Sequence, residues 1–222
     1  MKYLIILLVF LAVMSGLVAS YSLNSAEQTL TQQANGENWM IEKTMKLDLK
    51  LSEQGFWRIT NDGVMGGKSS GDIVFKADHG VFSGFVSTEN NGGFTSVYRP
   101  IGRLSQHTDT VFVDFMGDGQ PYQLRLALNI NGYRINYKQA FDTQVGVRQH
   151  LAFPLEKFIA TYHGRVISNA PKVSASRIRE VGFLINKKVS GEFALQIFSV
   201  TFSSSKLLQA SGTMAADEGI SL

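Results

Sequence analysis

The segment Tyr122-Gln-Leu-Arg-Leu-Ala-Leu-Asn-Ile130, followed by Asn131-Gly132 and then Tyr133 to Ala140, constrains the fold more than any other part of the chain. Tyr122, Leu124, Leu126, Leu128 and Ile130 recur at every second position, so they share one face of a β-strand. Asn-Gly is a strong hairpin signal because both residues tolerate positive φ. With those two residues at the turn, Ile130 faces Tyr133, Leu128 faces Ile135 and Leu126 faces Tyr137, and the apolar face runs on unbroken across both strands. The same register sets Asn129 against Arg134, Ala127 against Asn136, and Arg125 against Lys138 on the other face. Like charges directly opposite each other cost roughly 0.2–1 kcal/mol, so this face needs a neutralising partner. One reading is a solvated face, or a carboxylate such as Asp114 supplied by a neighbouring strand. The other is a concave, basic face that receives an anionic or polyhydroxyl partner.

The pattern repeats along the chain. Short alternating or β-branched runs cover Asp72 to Ala77, Val81 to Thr88, Thr95 to Arg99, Thr110 to Phe115, Val147 to Phe153, Ile178 to Ile185 and Phe193 to Phe202, with Gly, Asn and Asp between them. No long amphipathic helix interrupts them; Leu155 to Tyr162, after Pro154, reads as one helical turn. Many short strands with turn signals predict an all-β sandwich or barrel. At 222 residues and 44% hydrophobic content the chain can bury one such core, expected over residues 39–202.

The flanks read differently. Lys2 precedes an apolar stretch from Tyr3 to Val18, and the small residues Ala19 and Ser20 follow, which is the layout of a secretory signal over residues 1–20. These sixteen residues fall short of the ~20 that span a bilayer comfortably, so a retained membrane anchor is the second reading. Either way the expected location is exported, periplasmic or extracellular. The first arginine is Arg58, which argues against an Arg-rich mitochondrial leader. Residues 21–38 are expected to form a polar tether and 203–222 a flexible tail. The chain has no cysteine, so no disulfide supports the fold. A net charge of +3 without a basic run argues against nucleic acid.

Catalytic signatures are sparse. The four histidines are scattered and no Gly-x-Ser-x-Gly elbow occurs, so no zinc, thiol or serine chemistry is expected, and neither catalytic residue nor cofactor is assigned. Paired carboxylates for glycoside hydrolysis would have to come from Asp62, Glu89, Asp114 or Asp118, whose separation a sequence does not give. Gly63-Val-Met-Gly66-Gly67-Lys68-Ser69 imitates a phosphate loop, but its glycine spacing is one residue short and a strand-like run follows where a helix is needed. The economical reading is structural: Asn61-Asp62-Gly63 turns the chain, Gly66-Gly67 permits positive φ or close backbone approach, and Trp57 buries against the sandwich and pins the loop. Its alternative is a solvent-facing sugar platform. Asn90-Asn91-Gly92-Gly93 and Gly117-Asp118-Gly119 read as turns, with ligand contacts as the second reading; no metal is assigned at Asp118, which lacks a run of acidic ligands. The binding candidates are Asn61, Asp62, Lys68, Asn90, Asn91, Asp118, Arg125 and Arg134.

Taken in order, Trp57-Arg-Ile-Thr-Asn61-Asp62-Gly63-Val-Met-Gly66-Gly67-Lys68-Ser69, Phe82-Ser-Gly84, Glu89-Asn90-Asn91-Gly92-Gly93-Phe94-Thr-Ser96 and Gly117-Asp118-Gly119-Gln-Pro-Tyr122 resemble the complex I intermediate-associated protein 30 family, from about Trp57 to about Phe202. That resemblance implies a jelly-roll β-sandwich of the galactose-binding-like type and a non-enzymatic role in assembling respiratory complex I. A protein partner is therefore expected, a membrane protein or a respiratory-complex subunit. The competing expectation is an exported carbohydrate-binding module, which would lose its glycan on replacement of an exposed aromatic such as Tyr98.

Overall fold

The computed structural model describes residues 44–205. The signal or anchor segment, the tether and the tail beyond Ser205 lie outside the described residues. Among these described residues thirteen strands follow in chain order. They are β1 (Met45–Asp48), β2 (Arg58–Asn61), β3 (Ser70–Phe75), β4 (Gly80–Val86), β5 (Phe94–Pro100), β6 (Thr110–Met116), β7 (Pro121–Ile130), β8 (Tyr133–Asp142), β9 (Arg148–Pro154), β10 (Ile159–Tyr162), β11 (Arg165–Val166), β12 (Ile178–Asn186) and β13 (Gly191–Ser203). Antiparallel pairing sorts them into two sheets. One has six strands in the order β3-β4-β13-β6-β9, with β1 also on β13; the other has seven, in the order β11-β10-β8-β7-β12-β5-β2. Ser203, placed in the expected tail, completes β13, and the backbone N–H and hydroxyl of Ser205 donate to Asp109.

The two sheets close on each other through the residues that alternation assigns inward. Val111, Val113, Phe115, Leu195, Ile197, Val200 and Phe202 of the six-stranded sheet meet Val97, Leu124, Leu126, Leu128, Val181, Phe183 and Ile185 of the seven-stranded one, all of them buried. Phe141 binds the layers further, its ring packed against Phe115, Tyr122 and Phe153. Trp57 is buried as expected, its ring against Phe75 and Phe183.

The β7–β8 hairpin has the predicted register: Ile130 opposite Tyr133, Leu128 opposite Ile135, Leu126 opposite Tyr137. Asn131 and Gly132 both take positive φ, at 52° and 84°, as the primed turn requires. Three expectations need correction. Leu155–Lys157 forms a short 3-10 turn, but the rest of the expected helical turn is strand β10, whose backbone pairs with β8. Asp114 does not neutralise the basic face of the hairpin; it lies in the other sheet and receives both guanidinium bonds of Arg148. Tyr98 is not an exposed aromatic: 5% of its surface is accessible, because two arginines lie over its ring.

Candidate functional site

The sequence-selected residues divide between two places. Asn61 ends β2, Asp62 and Lys68 belong to the loop after it and Asn90 to the loop before β5, and there Asp62 is fully buried. Its carboxylate accepts the Ser69 hydroxyl at 2.5 Å, the Ser69 amide at 2.9 Å, the Gly93 amide at 2.7 Å and the Phe94 amide at 3.3 Å. Burial pushes this carboxyl up, but those four donors outweigh burial and hold it below the ordinary aspartate range. A Cβ on Gly67 would stand 2.3 Å from the Asp62 carboxyl carbon, and one on Gly92 would stand 2.6 Å from its oxygen. The two glycine pairs that mark the sequence therefore make room for one carboxylate. Asn61 accepts a hydrogen bond from Thr95, Asn90 donates to the Gly66 carbonyl at 3.0 Å, and Lys68 bridges to Glu89 on the surface. Asn91 sits in the short 3-10 turn Glu89–Asn91 beside them. This cluster ties two loops together, and its central carboxylate has no open face for a ligand.

Asp118 is likewise committed. Its carboxylate accepts from the Tyr122 hydroxyl, from the side chain and backbone of Gln120 and from the Ala194 amide, joining the start of β7 to β13. Among the described residues no three His, Asp or Glu side chains are grouped to hold a metal ion.

Arg125 and Arg134 come together elsewhere, on the outer face of the seven-stranded sheet. Strand register places Arg58, Tyr98, Gly182, Arg125, Lys138 and Ile159 in one row across β2, β5, β12, β7, β8 and β10. Glu180, Ala127, Asn136, Thr161 and Val166 form the next row. Gly182 shapes the centre: a Cβ there would meet the Val97 carbonyl at 2.3 Å and the Tyr98 ring at 2.6 Å, so its absence lets the tyrosine lie across the sheet. Arg134 and Arg58 then cover the ring, 4.7 Å and 5.1 Å from its centroid. Glu180 holds both arginines, accepting from Arg58 at 2.7 Å and from Arg134 Nε at 2.9 Å.

Arg125 has no such counter-charge among the described residues. It is 7% exposed, and its guanidinium donates only to neutral oxygens: Gln123 Oε1 at 2.9 Å, the Tyr98 hydroxyl at 3.3 Å and Thr161 Oγ1 at 3.4 Å. Lys138, half-buried and directly across from it, forms no ion pair among the described residues. By alternation this face carries Arg58, Arg125, Arg134 and Lys138, with Arg179 beside the β12 bulge, against Glu180 in their midst and Asp142 at the far end of β8. A buried charge is ordinarily paired, so this arrangement is the chemical anomaly of the molecule. Beside it a shallow depression of about 180 Å³ is lined by Ala127, Leu128, Asn129, Arg134, Arg179 and Glu180. A larger open cleft of about 630 Å³ lies at Gln106 to Thr110 and Lys172 to Ala175, but its Asp109 is already occupied by Thr110 and Ser205.

Sequence reasoning found Arg125, Arg134 and Lys138 from one hairpin. It missed Glu180 and Arg58, because neither is placed on this face until β12 and β5 are known to separate β7 from β2.

Two antiparallel sheets packed face to face, with committed loops and one under-neutralised sheet face, define a two-sheet antiparallel β-sandwich. Solved structures share it. The family 11 carbohydrate-binding module from Clostridium thermocellum, in complex with a β-1,3-1,4-mixed-linked tetrasaccharide, aligns over 72% of this chain and 95% of its own at 15% identity, with a TM-score of 0.56. The family 30 carbohydrate-binding module of a cellulosomal cellulase from the same organism aligns over 72% and 98% at 12% identity, with a TM-score of 0.50. At such identities the likeness is one of fold. No curated protein matches the chain. Residues 46–197 match the family of complex I intermediate-associated protein 30, and the chain belongs to that family.

Proposed function

We propose that this chain is an exported, non-catalytic binding module that holds a protein partner across the outer face of its seven-stranded sheet. The observation that carries the reading is Arg125, a buried guanidinium met among the described residues only by neutral oxygens. Family membership supports a protein partner within a respiratory or other membrane assembly. The signal-like residues 1–20 favour a partner outside the cytoplasm, or at the outer side of a membrane, over the cytoplasmic arm of a bacterial complex I. The jelly-roll, galactose-binding-like form of the sandwich is part of the same reading.

A second reading, an exported glycan-binding module, draws support from the shared fold and from the amides of Gln123 and Asn136 on this face; the buried Asn136 Oδ1 has no hydrogen-bond partner. Against it, the one aromatic ring at the centre is capped by arginines and offers no bare platform.

A photo-reactive residue placed at Thr60 on this face, and separately at Val74 on the opposite sheet, tests the reading in cells that make the full chain. Protein adducts from Thr60 and none from Val74 are the expected result. Adducts from Val74 alone, or glycan retention without any protein adduct, would refute it.

A further inference from the structure

Lys138 is flanked on the side away from Arg125 by Ile159, and Thr161, one of the neutral partners of Arg125, is flanked by Val166. Ile159 is 51% exposed and Val166 62% exposed, on the short strands β10 and β11 at one end of the sheet. Cationic and aliphatic surface thus adjoin on one face.

Resting on the reading above, we infer that this part of the face is a docking site for an extended protein segment that places a carboxylate between Arg125 and Lys138 and an aliphatic side chain on Ile159 and Val166.

Three features argue for it. The first is charge. Arg125 and Lys138 stand directly opposite each other, the arrangement that costs roughly 0.2–1 kcal/mol in a sheet, and one carboxylate between them would relieve the repulsion and supply the missing counter-charge together. The second is spacing. Neighbouring strands lie about 4.8 Å apart, so a carboxylate seated between Arg125 and Lys138 falls about 7 Å from Ile159, the separation of alternate residues in an extended chain. The third is the chemistry of the apolar half. Branched aliphatic side chains accept other aliphatics but present no flat ring to a sugar, and the ring that could do so, Tyr98, lies beneath Arg58 and Arg134. The occupant is therefore an acidic-aliphatic peptide segment in preference to an acidic polysaccharide.

The test uses the full-length protein and three probes: a peptide alternating Glu and Val, its Gln-Val counterpart, and polygalacturonate. The Glu-Val peptide is expected to bind at least tenfold more tightly than the Gln-Val peptide. Arg125→Gln should lower its affinity at least tenfold, Arg125→Lys should restore most of it, and Ile159→Ser should weaken it several-fold. Thermal melts of each variant separate loss of the site from loss of the fold. Equal binding of the two peptides, or no effect of Arg125→Gln in a variant that still melts cooperatively, overturns the inference; if Thr60 still captures a protein, the broader reading stands. Polygalacturonate binding that depends on Arg125, with neither peptide bound and no adduct at Thr60, overturns both.

Discussion

At the scale of single residues, two carboxylates do opposite jobs. Asp62 forms no ion pair among the described residues and relies on four hydrogen-bond donors, so its replacement leaves buried amides without acceptors, each worth about 1–3 kcal/mol. Asp62→Asn turns an amide toward those donors and is expected to cost about 2–4 kcal/mol, read as a lower urea midpoint at unchanged m-value. Glu180 is instead a local neutraliser shared by two arginines. Glu180→Gln should cost only about 0.5–1 kcal/mol. The same change frees two guanidinium groups on the proposed face, so an acidic peptide should bind Glu180→Gln several-fold more tightly than wild type in the same titration; weaker binding would place the acid elsewhere.

At the scale of elements, the hairpin of β7 and β8 was readable from the sequence to the residue, because strict alternation and an Asn-Gly turn leave only one register that buries the leucines. Strands β1, β2, β10 and β11 were not, being short runs that carry no alternation long enough to recognise. The face shows the same limit. Alternation puts Arg125 and Lys138 on the side away from the core, but what covers Tyr98 depends on which strands are neighbours, and β2 pairs with β5 across 34–40 residues of chain and β5 with β12 across 80–92. The loop motifs were conspicuous for a reason that sequence alone left open: Gly67 and Gly92 are spaces around the Asp62 carboxylate. Gly182 is an equally strict requirement that no motif announced. Gly182→Ala would force a Cβ to 2.3 Å from the Val97 carbonyl and should destabilise by about 1–3 kcal/mol. A chemical-denaturation midpoint checks it, and displacement of Tyr98 should show as altered tyrosine fluorescence.

At the scale of the whole molecule, stability depends on pH mainly through carboxylates tied to hydrogen-bond donors. Burial raises Asp62 and Asp109, but the donors around each outweigh it; Asp114 is lowered first by its bonds to Arg148. All three end below the ordinary value of 3.8. A depressed carboxyl stabilises fully above its unfolded value and loses that contribution as pH falls through its folded one. The melting temperature should therefore hold down to about pH 5 and drop steeply below about pH 4. Asp62→Asn should show a shallower acid limb than wild type, and an identical limb would mean that Asp62 does not titrate differently in the folded chain. The long strand β13 has a further consequence. It is the last strand among the described residues, yet it lies inside its sheet, joining β4 and β1 on one side to β6 on the other. While a ribosome is still translating the residues before Gly191, those three strands have nothing to bring them together. The six-stranded sheet can close only after Ser203 has emerged, so its two halves, β3-β4 and β6-β9, wait for a strand that is made after all of them.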